Sequence, residues 1–283
     1  SVKTIGRYSF YNCSKLTKIF IPDSITLIND HSFHGCSDIS LIIIPSSVIK
    51  IGNGAFYDCK SFKQITIPDS VESIGESSFY GCSSLTSILI PTSVKSISEN
   101  AFKNCSGLKG VSLSYSKSYD SIEKCAFREC TSLMQITIPF NIKTIKKRAF
   151  FGCTSLSKIS IPSSVTTIEK DAFSGCINLT QITLPSTLES IGFGAFSGCK
   201  SLENILLPPS MKTFSQTTKE ANNFTSLKSI ENRVFERCSS LKLITIPESV
   251  ESIKFNAFLE CRSLTKITIP SSVTSIGIGA FSE

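Results

Sequence analysis

The sequence contains no tryptophan, two histidines and two methionines in 283 residues. Two histidines leave little material for acid–base catalysis near neutral pH, because histidine is the side chain that ordinarily titrates there. No apolar run approaches the roughly 18 residues that cross a bilayer, and the first residues, SVKTIGRYSF, lack the apolar centre of a signal peptide. We therefore expect no enzyme and no membrane insertion within this segment.

Charge is also scarce, at 18% of residues with a net charge of +7, and it is spread along the chain. A nucleic-acid partner is not expected, because such a partner calls for a clustered basic patch. Hydrophobic residues make up 41%, which is too many for intrinsic disorder. The chain can therefore bury a sizeable core.

A 23-residue repeat runs through the whole chain and is marked by phenylalanine. The repeating positions are Phe10, Phe33, Phe56, Phe79, Phe102, Phe127, Phe150, Phe173, Phe196, Phe235, Phe258 and Phe281. Each repeat, which we call a rung, is expected to pack on its neighbours within one domain, residues 1–283. Two longer intervals predict irregular rungs at 114–127 and 208–235, the second around the polar segment KTFSQTTKEANNFTSLK. The count predicts about twelve rungs.

The first part of a rung reads as a strand followed by a turn. Ile19 and Ile21 alternate with Lys18 and Phe20, which predicts isoleucines facing inward and their neighbours facing outward. Proline then ends the ladder, because it supplies no backbone donor. A column of small polar residues follows, and we expect it to bond backbone groups near the turn. The column is Ser24, Ser47, Ser70, Ser93, Ser116, Asn141, Ser164, Thr187, Ser210, Ser249 and Ser272.

The second part of a rung returns the chain to the core. Apolar pairs such as Val71 with Ile74, and Val165 with Ile168, are expected to face inward. The segment GNGAFYDC places Ala55, Phe56 and Cys59 on one side of a predicted short helical turn that closes the rung. Glycine pairs such as Gly52 and Gly54 precede this turn, and we interpret them as turn chemistry instead of a phosphate loop.

The motif C-x-x-L-x-x-I-x-I-P-x-S-V-x-x-I-G-x-x-A-F resembles the 23-residue leucine-rich repeat of the BspA-like surface-antigen family. The resemblance covers essentially the whole chain. It implies a β-rich leucine-rich-repeat solenoid of the α/β class, a curved right-handed coil with a parallel concave β-sheet. Members of this family often lie on microbial or protist cell surfaces as adhesins. Serine mostly replaces the usual asparagine of leucine-rich repeats, which Asn141 alone keeps.

Eleven of the twelve cysteines form one column, from Cys13 to Cys261, three residues after each phenylalanine. Adjacent rungs bring such residues within disulfide range, but an odd column cannot pair completely, so we expect buried free thiols. Cys125 falls outside this column and is predicted to be the exposed, reactive thiol. His31 and His34 lie near Cys36 without metal-site spacing, so neither a metal nor another cofactor is expected. No catalytic constellation is found.

The outward strand positions are where a function can be read. Against a background of Thr, Ser, Gln and Lys, the residues Phe20, Leu41 and Ile43 form a predicted apolar cluster on adjacent rungs, which is typical of a protein contact. Alternatively, the cluster covers a preceding repeat or meets another copy of the chain. Tyr115 and Tyr119 in the first irregular rung are also residue types favoured in recognition surfaces. The predicted protein-binding residues are Lys18, Phe20, Leu41, Ile43, Gln64, Thr66, Leu89, Tyr115 and Tyr119.

Two functions remain open from the sequence. The first is a non-enzymatic protein-binding solenoid, part of a cell-surface or extracellular adhesin that recognises a host or matrix protein; its location rests on the resemblance. The second is an intracellular leucine-rich-repeat scaffold in the cytoplasm, favoured by the unpaired cysteine column and the absent export signal. Because the chain begins and stops inside a repeat, without caps, we expect it to be part of a longer protein.

Overall fold

A computed structural model describes residues 2–116, 118–208 and 229–283. Its chain divides into two compact units, Ser1–Asn141 (unit 1) and Ile142–Glu283 (unit 2), which are described separately. Whether they form the single domain expected from the sequence stays a prediction. The predictions made for Ser210 and for the polar insertion from Lys212 to Lys228 lie outside the described residues.

The described rungs are built mainly from short parallel strands, and no helix occurs in the described residues. The first strand of the rungs, which precedes the turn, recurs as β1 Lys18–Phe20, β3 Leu41–Ile43, β6 Ser87–Ile90, β8 Gly110–Leu113, β10 Gln135–Thr137, β12 Lys158–Ser160, β14 Gln181–Thr183, β16 Asn204–Leu206 and β18 Leu243–Thr245. The second strand recurs as β2 Leu27–Ile28, β4 Lys50–Ile51, β5 Ser73–Ile74, β7 Ser96–Ile97, β9 Ser121–Ile122, β11 Thr144–Ile145, β13 Thr167–Ile168, β15 Ser190–Ile191, β17 Ser229–Ile230, β19 Ser252–Ile253 and β20 Ser275–Ile276.

Strands of the same kind pair in parallel, one repeat apart. In unit 1, β1 pairs β3 with Ile19 opposite Ile42, and β2, β4, β5 and β7 form one sheet in that order. In unit 2, β12 pairs β14, and β17, β19 and β20 form one sheet. This is the predicted parallel β-solenoid.

The number of complete turns is about ten, slightly below the twelve predicted from phenylalanine. A first strand, or the bridge from Gln64 to Ser87, occurs in ten rungs of the described chain. The two rungs that lack a first strand lie at the two ends of the sequence. Before Phe10 there is only an isolated β-bridge at Ile5, at the second-strand position, and residues 265–269 form no β-strand.

A column of stacked phenylalanine rings runs through each unit. In unit 1 the six rings from Phe10 to Phe127 stack with centroids 5.1 to 5.6 Å apart. In unit 2 the six rings from Phe150 to Phe281 stack at 5.2 to 5.9 Å. Stacking continues across both long intervals, from Phe102 to Phe127 and from Phe196 to Phe235. That the additional residues form irregular rungs stays a prediction. The longer insertion lies between β16 and β17.

Most described members of the small polar column bond the neighbouring rung; Ser116 Oγ accepts from the amide of Ser118 in its own turn, and Ser164 and Ser249 Oγ have no hydrogen-bond partner among the described residues. Ser47 Oγ donates to the carbonyl of Ile25 at 2.6 Å, and Ser70 Oγ donates to that of Val48 at 2.7 Å. Asn141 Nδ2 donates to the carbonyl of Tyr119. The column therefore ties successive rungs together, a longer-range role than the sequence indicated.

The predicted short helical turn is an irregular turn, for a backbone reason. Gly54 and Asp58 have φ of +54° and +53°, which a right-handed helix cannot contain. The amide of Phe56 donates to Ser78 on the next rung at 2.8 Å, whereas the amide of Tyr57 donates within the rung to Gly54 at 3.1 Å. Successive backbone N–H groups therefore donate alternately to the next rung and within their own rung, and the hydrogen bonds between rungs continue through the turn.

Candidate protein-binding face

The first strands present alternate side chains to solvent, and we call this surface the first-strand face. On β3 the inward Ile42 is 5% exposed, whereas Leu41 and Ile43 are 46% and 57% exposed. The same alternation recurs on β10, β12 and β14. The period-two prediction is confirmed, and the outward residues are free of the packing that fixes the inward ones.

An apolar cluster lies on this face in unit 1. Strand pairing sets Phe20 opposite Ile43 and Lys18 opposite Leu41. Phe20 is 77% exposed, so nearly the whole ring meets solvent. We call Phe20, Leu41 and Ile43 the Phe20 patch. An exposed contiguous apolar group of this kind is typical of a contact surface.

The remaining predicted strand residues are exposed next to this patch. Gln64 and Thr66 are exposed, and Gln64 bridges to Ser87 on the following rung. Leu89 on β6 is 58% exposed and lies in register with Ser112. The rung of Thr66 separates it from the Phe20 patch, so Leu89 is a second apolar point on a polar background.

Tyr115 pairs with an aromatic residue that sequence reasoning missed. Its ring stacks on that of Phe140 with centroids 4.5 Å apart and an interplanar angle of 12°. Both residues are exposed to solvent, and Phe140 is 68% exposed. A signal was available, since Phe140 follows a proline where other rungs carry Asp23, Ser46 or Asp69.

Tyr119 requires a correction, because it lies in the core. It is 8% exposed and its hydroxyl donates to the carbonyl of Ser114 at 2.8 Å. Burial raises the pKa of this phenol. Tyr119 and Ile122 have the same spacing as the inward pair Val71 and Ile74, so the two-residue insertion ends before Tyr119. Tyr119 therefore takes the inward position of this rung, and the expectation that it faces a partner is wrong.

Unit 2 carries two exposed leucines on its own first strands. Leu206 on β16 is 69% exposed and Leu243 on β18 is 51% exposed. Asn204 pairs with Leu243 and Leu206 pairs with Thr245, so the two leucines lie diagonally across paired strands. Their places in the outward columns were visible in the sequence, but they were not singled out.

The cysteine column is structural. Ten of its eleven members are buried free thiols, Cys13 is exposed, and Cys125 outside the column is also a buried free thiol. The Sγ atom of Cys36 donates to the carbonyl of Phe10 at 3.0 Å, and burial raises the pKa of this thiol to about 11. Cys125 is 5% exposed, so the prediction of an exposed thiol there is wrong. Its backbone has a φ of +55°.

His31 and His34 belong to an aromatic stack along the turns of unit 1. Their Nδ1 atoms are 3.3 Å apart, His31 stacks on Tyr8, and His34 stacks between Tyr11 and Tyr57. Burial and then the neighbouring His31 lower the pKa of His34.

Within the described ranges, no group of three or more His, Cys, Asp or Glu side chains is arranged to hold a metal ion. Likewise, the described chain contains no helix long and apolar enough to cross a membrane.

The rung geometry agrees with a comparison of sequences. The family model for the BspA type leucine-rich repeat region, in six copies, matches residues 3–119, 111–224 and 215–283. The chain belongs to this family. Leucine-rich-repeat solenoids are a protein-interaction type of fold, in which the repeats form an extended surface.

Solved structures of bacterial leucine-rich-repeat proteins are similar to this BspA-type chain. One from Bacteroides ovatus is 29% identical with a TM-score of 0.69, and the match covers 99% of this chain and 80% of the other. A leucine-rich cell surface protein from Faecalibacterium prausnitzii is 30% identical with a TM-score of 0.59, over 99% and 87%. One from Eubacterium ventriosum, at 23% identity and a TM-score of 0.56 over 94% and 82%, supports the fold alone. No curated protein matches the sequence.

Proposed function

We propose that this BspA-type chain is a non-enzymatic protein-binding solenoid and the ligand-binding part of a cell-surface adhesin. The observation that carries the proposal is the Phe20 patch, in which three large apolar side chains on paired strands are each at least 46% exposed. Removing such a surface from water favours binding by roughly 25 cal/mol per Å² of apolar area, before the entropic cost of association is subtracted.

The surroundings of the Phe20 patch fit a protein partner. Lys18, Gln64 and Thr66 border it with polar groups, which gives an apolar centre and a polar rim. Tyr115 and Phe140 offer a second, aromatic contact in the same unit. A cell-surface location is supported by the family and by the Faecalibacterium relative, which is described as a cell surface protein. A host or matrix protein is the partner we expect.

The test uses the purified chain and cultured animal cells. The triple variant F20S/L41S/I43S should lose at least tenfold in binding to intact cells, and trypsin treatment of the cells should remove wild-type binding. The matched control is L206S/L243S, which changes equally exposed leucines on the first-strand face of unit 2. Unchanged binding by the triple variant, at an unchanged melting temperature, would show that the Phe20 patch is not the binding site. Sedimentation of both proteins reports whether the patch instead joins two copies.

An intracellular scaffold is the second candidate, favoured by the eleven buried free thiols. The two candidates differ in where the native protein is found. Surface biotinylation of intact source cells should label the native protein if it is an adhesin, and should leave it unlabelled if it is a scaffold.

A further inference from the structure

An open cleft of about 530 Å³ lies along the turns of unit 2. It crosses four rungs and is formed by two columns of the repeat, the residue two after each phenylalanine and the residue after each cysteine. The first column contributes Gly175, Gly198, Arg237 and Glu260, and the second contributes Ile177, Lys200, Ser239 and Arg262. Ser174 and Ser197 complete the lining.

The cleft exists because two rungs carry glycine at its floor, whereas the next two rungs carry large charged side chains at the same position. Gly175 and Gly198 stack on each other, and a Cβ on Gly198 would lie 3.7 Å from Gly175, so the floor is bare backbone with room above it. Arg237 and Glu260 take the corresponding positions on the next two rungs. Their φ angles are +59° and +58°, a left-handed conformation that Arg and Glu seldom adopt. Large charged side chains therefore occupy positions where the backbone favours glycine or asparagine.

The charge in the cleft is positive and only partly neutralised. Arg237 Nε lies 3.2 Å from Glu260 Oε1, and Arg262 Nη2 lies 3.4 Å from Glu260 Oε2. One carboxylate thus holds two guanidinium groups side by side, and each keeps further N–H donors. Lys200 adds a third cation and makes no ion pair with a described residue. Three cations against one carboxylate leave an excess of two positive charges.

This chemistry recognises an oxyanion carried by a hydroxyl-rich molecule. Guanidinium groups bind carboxylate and sulfate oxygens with paired donors. The lining contains serine hydroxyls and exposed backbone but no aromatic side chain, and protein partners are usually anchored by aromatic residues. We propose that the cleft of unit 2 binds an acidic saccharide, a sugar chain bearing carboxylate or sulfate groups. The site is separate from the Phe20 patch and does not depend on the proposed function.

The test measures binding of the intact chain to four immobilised polymers. They are a heparin-type oligosaccharide for sulfate, an oligogalacturonate for carboxylate, a neutral dextran, and poly-glutamate. We expect binding to at least one acidic saccharide, none to dextran, and weaker binding to poly-glutamate. The sulfate and carboxylate arms identify which acid is recognised. Poly-glutamate binding as tight as that of both saccharides, or no binding to either saccharide, would overturn the proposal.

Three variants locate the binding in the cleft. R237Q/R262Q should weaken it at least tenfold, and K200Q should weaken it several-fold while leaving the Glu260 ion pairs intact. G198N fills the floor without changing charge, and asparagine suits this backbone because Asn104 occupies the same column with a φ of +61°. The control is R7Q in unit 1, which removes an exposed arginine also paired with a carboxylate, that of Asp30. Equal binding by wild type, G198N and K200Q would contradict the assignment. None of these variants touches the Phe20 patch, so either proposal can fail alone.

Discussion

The thiol of Cys82 donates a hydrogen bond to the carbonyl oxygen of Phe56, one rung earlier, at a distance of 3.2 Å. The same carbonyl also accepts the amide of Cys59 in its own rung, at 3.2 Å. The arrangement recurs in both units, for example from Cys105 to Phe79 and from Cys199 to Phe173. Cysteine suits the column because it is small and apolar and still carries a donor.

Replacing Cys82 tests this role. Because Cys82 is fully buried, Cys82→Ala leaves a cavity and removes the donor, and we expect a loss of about 1–3 kcal/mol in unfolding free energy. Urea titration followed by circular dichroism measures it. Cys13→Ala is the control, since Cys13 is exposed, and it should change stability by less than about 0.5 kcal/mol. Equal effects of the two variants would show that the column is not structural.

Thiol labelling checks the burial of the column directly. Iodoacetamide added to the native protein at pH 8 should give one adduct, on Cys13, because the other eleven thiols are buried. Mass spectrometry of the tryptic peptides locates it. Urea should expose all twelve cysteines as an internal control. A native adduct on Cys125 would contradict its buried position.

The raised thiol pKa values predict a loss of stability at alkaline pH. Burial raises the pKa of Cys105 and of Cys199 from 9.0 to about 12 in each case. Above pH 9 the unfolded chain releases these protons while the folded chain keeps them, so unfolding becomes easier as pH rises. Each such thiol lowers the unfolding free energy by up to about 1.4 kcal/mol per pH unit between pH 9 and 12.

The variant Cys105→Ala isolates one of these contributions. Urea titrations from pH 8 to 10.5 under reducing conditions should show a shallower pH dependence for the variant than for the wild-type protein. Its stability at pH 8 is lower, but the difference should narrow as pH rises. Parallel curves for the two proteins would mean that the Cys105 thiol does not titrate on unfolding.

Tyr119 gives a prediction that separates a core residue from a surface residue. Tyr119→Phe removes the hydroxyl that bonds Ser114, and we expect a loss of about 0.5–1.5 kcal/mol. Tyr119→Ser also empties the core position and should cost about 3–5 kcal/mol. Tyr115→Ser, on the exposed stack with Phe140, should cost no more than about 1.5 kcal/mol. A melting temperature of Tyr119→Ser clearly below those of the other two variants would support the assignment, and equal melting temperatures would contradict it.

The features that depend on periodicity could be predicted from the sequence, and those set by local geometry could not. The 23-residue spacing of phenylalanine and the alternation around Ile19 and Ile42 reflect packing, which leaves a regular pattern. The backbone conformation of each turn leaves no such pattern in the sequence. Every positive φ in the described residues falls two residues before or two after the repeating phenylalanine. Those positions hold His31, Cys125 and Arg148 as well as glycine, because inter-rung hydrogen bonds impose the conformation. The sequence alone therefore does not show that this turn is irregular and not helical.

The paired glycines of the turn have different roles, and substitution separates them. A Cβ on Gly52 would lie 2.6 Å from the backbone nitrogen of Asp30 on the preceding rung, so Gly52→Ala forces two rungs apart. Gly54 instead needs its φ of +54°, which asparagine tolerates, but a Cβ there would clash with Nδ1 of His31, a side chain that has to move. We expect Gly52→Ala to lower the unfolding free energy by more than about 2 kcal/mol, because it meets backbone, and Gly54→Asn by about 1–2 kcal/mol, because it meets a side chain.

Gly110 on β8 is the control for these glycine substitutions. A Cβ there would meet no atom within 4 Å, and its φ is not positive, so Gly110→Ala adds a side chain without a clash. By restricting the unfolded chain it should stabilise the protein by about 0.4–1 kcal/mol. Urea midpoints of the three variants should therefore rank Gly110→Ala above wild type, Gly54→Asn below it and Gly52→Ala lowest. If Gly52→Ala matched wild type, the close approach of successive turns would not exist in solution, and the rungs would have to be spaced more widely along the turns than along the strands.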